Sequence, residues 1–218
     1  LAVLEELSLE VAGGEFLAVV GPTGCGKTTL LNLLAGFYPP GGGEVRRRGA
    51  TRMVYQQDSL FPWLTVAGNI GLGLTAGDAA HRARHLDELL ELTQLQGFAG
   101  HYPHQLSGGM RRRVELARVL AGPADALLMD EPFSALDYQT RHRLYQELAR
   151  MLALRPRTVV LVTHDIQEAA LLADRVVVLS ARPARVRAEL RLDFPRQRDI
   201  AHPGVLQAMQ RILEALGG

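Results

Sequence analysis

Residues 21–28 read GPTGCGKT, and no other stretch limits the fold of this 218-residue chain so tightly. The pattern is a glycine, four residues, then Gly-Lys-Thr. Before it, GEFLAVVG is an apolar run of strand length. After it, KTTLLNLLAG has helical length and ends at Gly36, a stop signal reinforced by Pro39-Pro40. Strand, glycine loop and helix in that order form an anion cradle. Backbone N–H groups freed by glycine ring the phosphate oxygens, and the helix N-terminus adds its partial positive charge. The cradle spans Gly21, Pro22, Thr23, Gly24, Cys25, Gly26, Lys27, Thr28 and Thr29, with Lys27 reaching outer phosphates and the Thr28 hydroxyl placed for Mg²⁺. A strand feeding such a loop belongs inside an open α/β sheet, with ligand at the strands' carboxyl edge.

A Mg²⁺ site needs a second anchor, and ALLMDEP supplies it: an apolar strand ending in Asp130, positioned to hold the metal's water shell. Glu131, next along, faces the γ-phosphate and can orient or deprotonate water. Together the two stretches point to a nucleoside triphosphate.

The rest of the chain fits a parallel sheet covered on both faces. Strands are expected at Leu7–Val11, GEFLAVVG, TRMVYQQ, ADALLMD, TVVLVT and RVVVLS, with GGGEVRRRG as a turn and short exposed strand. Helices are expected from Ser107 to Ala121, Tyr138 to about Ala153, Ile166 to Ala173, and from about Val205 in an Arg- and Pro-rich tail. Residues 60–106 have few β-branched residues and read as a helical insertion. A net charge of +1 gives no bulk field toward nucleic acid or anionic lipid. The longest apolar runs fall well short of the roughly 20 residues of a membrane span. A single cysteine excludes an internal disulfide and suits a reducing compartment. No basic-then-apolar leader opens the sequence, so a cytosolic setting is expected.

A second glycine loop, Ser107-Gly108-Gly109-Met110, opens the helix to Ala121 and repeats the anion-seeking device. One loop already encloses a triphosphate, so the simplest use for the second is the nucleotide of another copy, in a two-fold dimer. Arg111, Arg112 and Arg113 lie near that helix start, where the dipole disfavours cations; they read either as facing an anion or acidic partner or as a solvated basic face.

GPTGCGKT, QLSGGM, LLMDEPFSALD and LVTHD, in this order and spacing, resemble the ATP-binding subunit of an ABC transporter, across essentially the whole chain. The resemblance implies a P-loop NTPase fold of the ABC nucleotide-binding type: α/β, with a mainly parallel core sheet, a small antiparallel β subdomain and a helical insertion. As one domain, 1–59 and 107–180 would form the ATP-binding core with its β subdomain, 60–106 the helical subdomain, and 181–218 a C-terminal tail and helix. It also implies residue roles. Gln56 matches the glutamine that touches Mg²⁺, beside Thr28 and Asp130; Glu131 matches the catalytic glutamate. His164 matches the switch histidine on the γ-phosphate, and Lys27 completes the catalytic set. Ser107, Gly108, Gly109 and Met110 match the signature loop for the partner's ATP, and Asp137 matches the aspartate at the dimer interface. The family's adenine-stacking aromatic falls upstream of Leu1, and Arg112 stands where the family often has glutamine.

A finer resemblance, in QQDSLFPWLTVAGNI, THDIQEAALLADRVVVLSARPARV and DFPRQRD, is to ATPases of nitrate, sulfonate, taurine and bicarbonate importers. It implies ATP and Mg²⁺, a second ATPase subunit (the same chain or a close paralogue), permease subunits, a periplasmic or surface solute-binding protein, and no nucleic acid. Its implied place is the cytoplasmic face of the inner membrane, peripherally bound. Phe61, Pro62 and Trp63 read either as part of a permease-receiving groove or as helical-subdomain core. The alternatives are an importer ATPase for another solute, or a soluble non-transport ABC ATPase. Cys25, at a helix N-terminus, is expected to react with thiol reagents, with ATP protecting it.

Overall fold

A computed structural model describes residues 2–55, 59–134, 136–154, 156–196 and 198–217. Six strands form one sheet: β1 (Phe16–Val20), β2 (Thr51–Val54), β3 (Ala126–Asp130), β4 (Thr158–Val162), β5 (Arg175–Leu179) and β6 (Val186–Arg191). Their order is β2-β3-β4-β1-β5-β6, with β6 antiparallel to β5 and every other pairing parallel. The apolar runs expected as strands are buried on both faces because successive side chains point to opposite sides. Phe16, Ala18, Val20, Leu127, Met129, Val159 and Leu161 pack into one core; Leu17, Val19, Leu128, Val160 and Val162 pack into the other.

The described residues form seven helices: α1 (Lys27–Ala35), α2 (Val66–Gly71), α3 (Ala79–Leu92), α4 (Gly108–Ala121), α5 (Tyr138–Leu154), α6 (Ile166–Leu172) and α7 (Pro203–Gly217). α1 ends as the sequence indicates. Gly36 adopts φ 82°, and its N–H and that of Phe37 bond back to the carbonyls of Leu33 and Asn32. Short polar side chains start several others. Thr65, Asp78, Ser107 and Asp165 accept from backbone N–H groups in the first turns of α2, α3, α4 and α6.

Residues 60–106 are helical as expected, with α2, α3 and two 3₁₀ turns at Gln96–Phe98 and Pro103–Gln105. Val66, Ile70, Leu89, Leu90, Leu95 and Leu106 join the α4 side of the main core. Buried Asn69 organises the aromatic loop before α2: its amide donates to the carbonyls of Phe61, Leu64 and Thr65 and accepts from the N–H of Phe61.

The antiparallel β subdomain is not formed among the described residues. Leu7–Val11 alternates in polarity but forms no ladder, and residues 41–50, expected to supply a short strand, are irregular. The glycine triplet Gly41–Gly43 and the arginine run that follows carry little apolar surface to hold a hairpin. Near the N-terminus the described pairing is a single parallel bridge of Leu4 with Ala184. The antiparallel strand lies instead in the tail, as β6 on the outer edge, where Arg- and Glu-rich alternation leaves one face in water.

Candidate active site

The carboxyl ends of β1, β3 and β4 bring three motifs to one edge. From β1 the chain turns through the glycine loop, where Gly24 has φ 77° and Gly26 φ 120°. A Cβ at Gly26 would lie 2.7 Å from Val3 Cγ1, so both backbone and space demand glycine there. Lys27 is buried, and its Nζ donates to the carbonyls of Gly21 (2.8 Å) and Pro22 (3.1 Å). The ammonium is thus held inside the curl that a phosphate would occupy. Cys25, expected to react with thiol reagents and to be protected by ATP, is 1% exposed and packs in the core beneath the loop, so burial opposes that reaction.

At the end of β3, Asp130 is 2% exposed. Burial pushes its carboxyl above the ordinary range and the neighbouring Glu131 adds to this, while a hydrogen bond with Thr28 and the charges of Arg112 and Lys27 pull it back. A buried carboxylate joined to a hydroxyl is an all-oxygen donor pair whose charged form gains from a cation. That suits a hard divalent ion such as Mg²⁺. Thr28 and Asp130 would therefore hold the metal; Gln56, the third expected ligand, lies outside the described residues.

Glu131 has φ 46°, a left-handed conformation costing about 1–2 kcal/mol for a residue with a Cβ. The turn it creates aims Oε1 at His164 on the β4–α6 connection, 2.9 Å from Nδ1. His164 is exposed, not a core histidine, and the capping of α6 falls to Asp165, which accepts from the N–H groups of Gln167 and Glu168. Arg141 ties this connection to the next loop, pairing with Asp165 at 3.1 Å and donating to the Leu136 carbonyl. Asp137 is exposed and accepts from the Thr140 N–H at the start of α5; that bond holds its carboxyl below the usual range.

The second glycine loop stands apart from this cluster. Ser107 and Gly108 are exposed, and Ser107 Oγ accepts from the Met110 N–H at 3.2 Å. The three arginines that follow do not share one fate. Arg111 donates to the Leu106 carbonyl, and Arg113 caps the end of α3 at the Thr93 and Gln94 carbonyls. Arg112 turns inward, is 6% exposed and reaches the carboxyl end of β3. Of the readings open for this trio, an acidic partner fits Arg112, which pairs with Glu115 at 2.7 Å, but its burial against the end of β3 is in neither. Sequence reasoning also missed the buried pair Tyr145–Glu168, in which the phenol donates to the carboxyl at 2.9 Å. Helical spacing alone carries no sign of either.

A family model described as ABC transporter matches residues 4–134. An uncharacterized ABC transporter ATP-binding protein of Methanocaldococcus jannaschii is 44% identical, over 98% of this chain and 84% of its own. An aliphatic sulfonates import ATP-binding protein of Bacillus licheniformis is 39% identical over 98% and 86%, and a taurine import ATP-binding protein of Roseobacter denitrificans 41% identical over 88% and 75%. Among solved structures, the dimeric structure of a bacterial ABC transporter cassette superposes with a TM-score of 0.79 at 33% identity, covering 88% of this chain and 91% of that one. A post-hydrolysis state bound to ADP and Pi gives 0.77 at 32% identity, with the same coverage.

Proposed function

We propose that this chain, which belongs to the ABC transporter family, is the ATP-hydrolysing motor subunit of an importer for small anions, with sulfonates such as taurine its cargo class. The observation that carries the hydrolytic reading is the contact of Glu131 with His164 directly after Asp130 and its Thr28 partner. The glycine loop and Lys27 hold the β- and γ-phosphates. Thr28 and Asp130 would hold Mg²⁺, which would supply charge neutralisation for the phosphate oxygens. Glu131 takes the proton of a water that attacks the γ-phosphorus in line; the bond to the β-phosphate oxygen breaks, and ADP and phosphate form. His164 orients the Glu131 carboxylate and contacts the γ-phosphate. The Ser107–Met110 loop of a second copy, with its exposed backbone N–H groups at a helix start, closes over the same triphosphate, and Asp137 lies at that junction.

The sulfonate choice rests on relatives' names, with nitrate and bicarbonate as the neighbouring chemistries. Coupling to a permease draws on a groove of about 380 Å³ lined by Met53, Ser59, Phe61, Leu72 and Arg118. Phe61 and Trp63 stand exposed beside each other, ring centroids 5.4 Å apart. Among the described residues no helix is long and apolar enough to cross a membrane. By its likeness to import ATP-binding proteins, the subunit would bind its permease peripherally, at the cytoplasmic face. In this reading residues 60–106 move as the permease-facing unit against the ATP-binding core. The test is phosphate release from Mg-ATP by the purified chain, then by the complex with its permease. Turnover lost in Lys27→Ala and cut to a slow residual rate in Glu131→Gln, and stimulated by taurine or an alkanesulfonate in the complex, supports the reading. A wild-type chain that binds ATP without turnover in either setting overturns it.

A further inference from the structure

Resting on that reading, we infer that Arg112 is a positioning residue for Glu131, tying the helix that caps one ATP to the carboxylate that hydrolyses the other. The geometry is specific. A guanidinium has five N–H donors, and in Arg112 all five are used. Nε donates to the Pro132 carbonyl at 2.9 Å; Nη2 donates to the carbonyls of Asp130 (2.8 Å) and Glu131 (3.0 Å). Nη1 donates to the Tyr55 carbonyl and to Glu115 Oε2, the latter at 2.7 Å. Three successive carbonyls therefore converge on one planar cation, and the middle one belongs to the residue with φ 46°. Carbonyls of an extended strand alternate in direction, so they converge this way only because the chain turns at Glu131. The guanidinium holds that turn, and the turn sets the 2.9 Å contact with His164.

The location argues against a role in packing alone. A buried cation close to the start of α4 opposes the helix dipole and must shed its water. The same volume filled by an apolar side chain would avoid both costs, but would give the three carbonyls no donor. Glu115, also fully buried, compensates the charge and accepts from Ser59 Oγ at 2.8 Å. The Arg112–Glu115 pair thus grips Tyr55 and Ser59, the described residues on either side of 56–58, besides the β3 end. Five residues earlier, at the N-cap of the same helix, stands Ser107. Displacement of α4 on closure over a second copy's nucleotide is transmitted to Glu131 through one side chain.

The experiment compares the wild type with Arg112→Gln, Arg112→Lys and the paired Arg112→Met/Glu115→Leu, which leaves no buried charge unpartnered. Nucleotide affinity is measured by titration, and kcat and KM by phosphate release. The expected result is a kcat lower by roughly ten- to a hundredfold with nucleotide affinity unchanged, in every variant whose melting profile stays cooperative. In a Glu131→Gln background the same substitutions leave the residual rate where it is, because Arg112 acts through Glu131. A folded apolar pair with wild-type kcat overturns the inference, as does a further loss of equal size in the Glu131→Gln background. A wild type without turnover overturns the ATPase reading instead, so the two failures are distinct.

Discussion

His164 Nδ1 lies 2.9 Å from Glu131 Oε1, joining the carboxyl ends of the adjacent strands β4 and β3. The contact gives a weakly constrained histidine, exposed to solvent, a fixed partner at the reacting edge. Replacing His164 with alanine frees the Glu131 carboxylate to rotate. We expect kcat to fall by about a hundredfold or more, with nucleotide affinity retained. Steady-state phosphate release beside equilibrium nucleotide titration checks this; equal losses in both would show that His164 serves binding instead.

Asp130 is expected to matter to metal rather than to nucleotide. Asp130→Asn keeps the shape and a hydrogen-bonding oxygen for Thr28 but loses the charge. Calorimetric titration with ATP alone should match the wild type, whereas the gain on adding Mg²⁺ should shrink by roughly ten- to a hundredfold. An undiminished Mg²⁺ effect would move the metal away from the Thr28–Asp130 pair.

Glu168 gives the fold a pH dependence of known sign. Burial, chiefly, pushes its carboxyl from 4.5 up to about 7, against the hydrogen bonds from Thr163 and Tyr145. Below about pH 4.5 both folded and unfolded chains hold the proton, and the site costs nothing. As pH rises toward 7 the unfolded chain ionises first, and stability falls by about 3 kcal/mol at most. Glu168→Gln removes the titration and keeps an acceptor for the Tyr145 hydroxyl. Its Tm should exceed that of the wild type at pH 8 and approach it at pH 5. A gain equal at both pH values would contradict the assignment.

Asn69 makes four hydrogen bonds to the loop that carries Phe61 and Trp63, which Arg118 also contacts through Ser59 and the Phe61 ring. Asn69→Ala removes four hydrogen bonds and strands buried carbonyls, at a cost of about 2–4 kcal/mol in unfolding free energy by urea titration. Trp63 fluorescence reports the same loop, Trp63 being the sole tryptophan. Unchanged stability would mean that the loop is held elsewhere.

The strands that build the sheet were legible because burial on both faces forces continuous apolar runs. The glycine loop was legible because phosphate chemistry dictates spacing as well as residue type. What was not legible depends on partners rather than on local pattern. Leu7–Val11 alternates like a strand yet finds no ladder, while Val186–Arg191, hidden in an Arg-rich tail, pairs because β5 presents an open edge. Arg111, Arg112 and Arg113 look alike in sequence, and only the 100° between neighbouring helix positions separates two half-buried side chains bonded to nearby carbonyls from a fully buried clamp. The left-handed turn at Glu131 left no trace, since no glycine marks it.

The central claim, that the Ser107 loop completes the ATP site of a second copy, is tested most directly by mass in solution. Glu131→Gln, which should hold ATP while hydrolysing it only at a slow residual rate, is weighed by light scattering with and without Mg-ATP, alone and combined with Ser107→Arg. The account expects a monomer without nucleotide, a dimer with Mg-ATP, and a nucleotide-bound monomer when Ser107→Arg is added. A protein saturated with Mg-ATP that stays monomeric, or a dimer indifferent to Ser107→Arg, would contradict it.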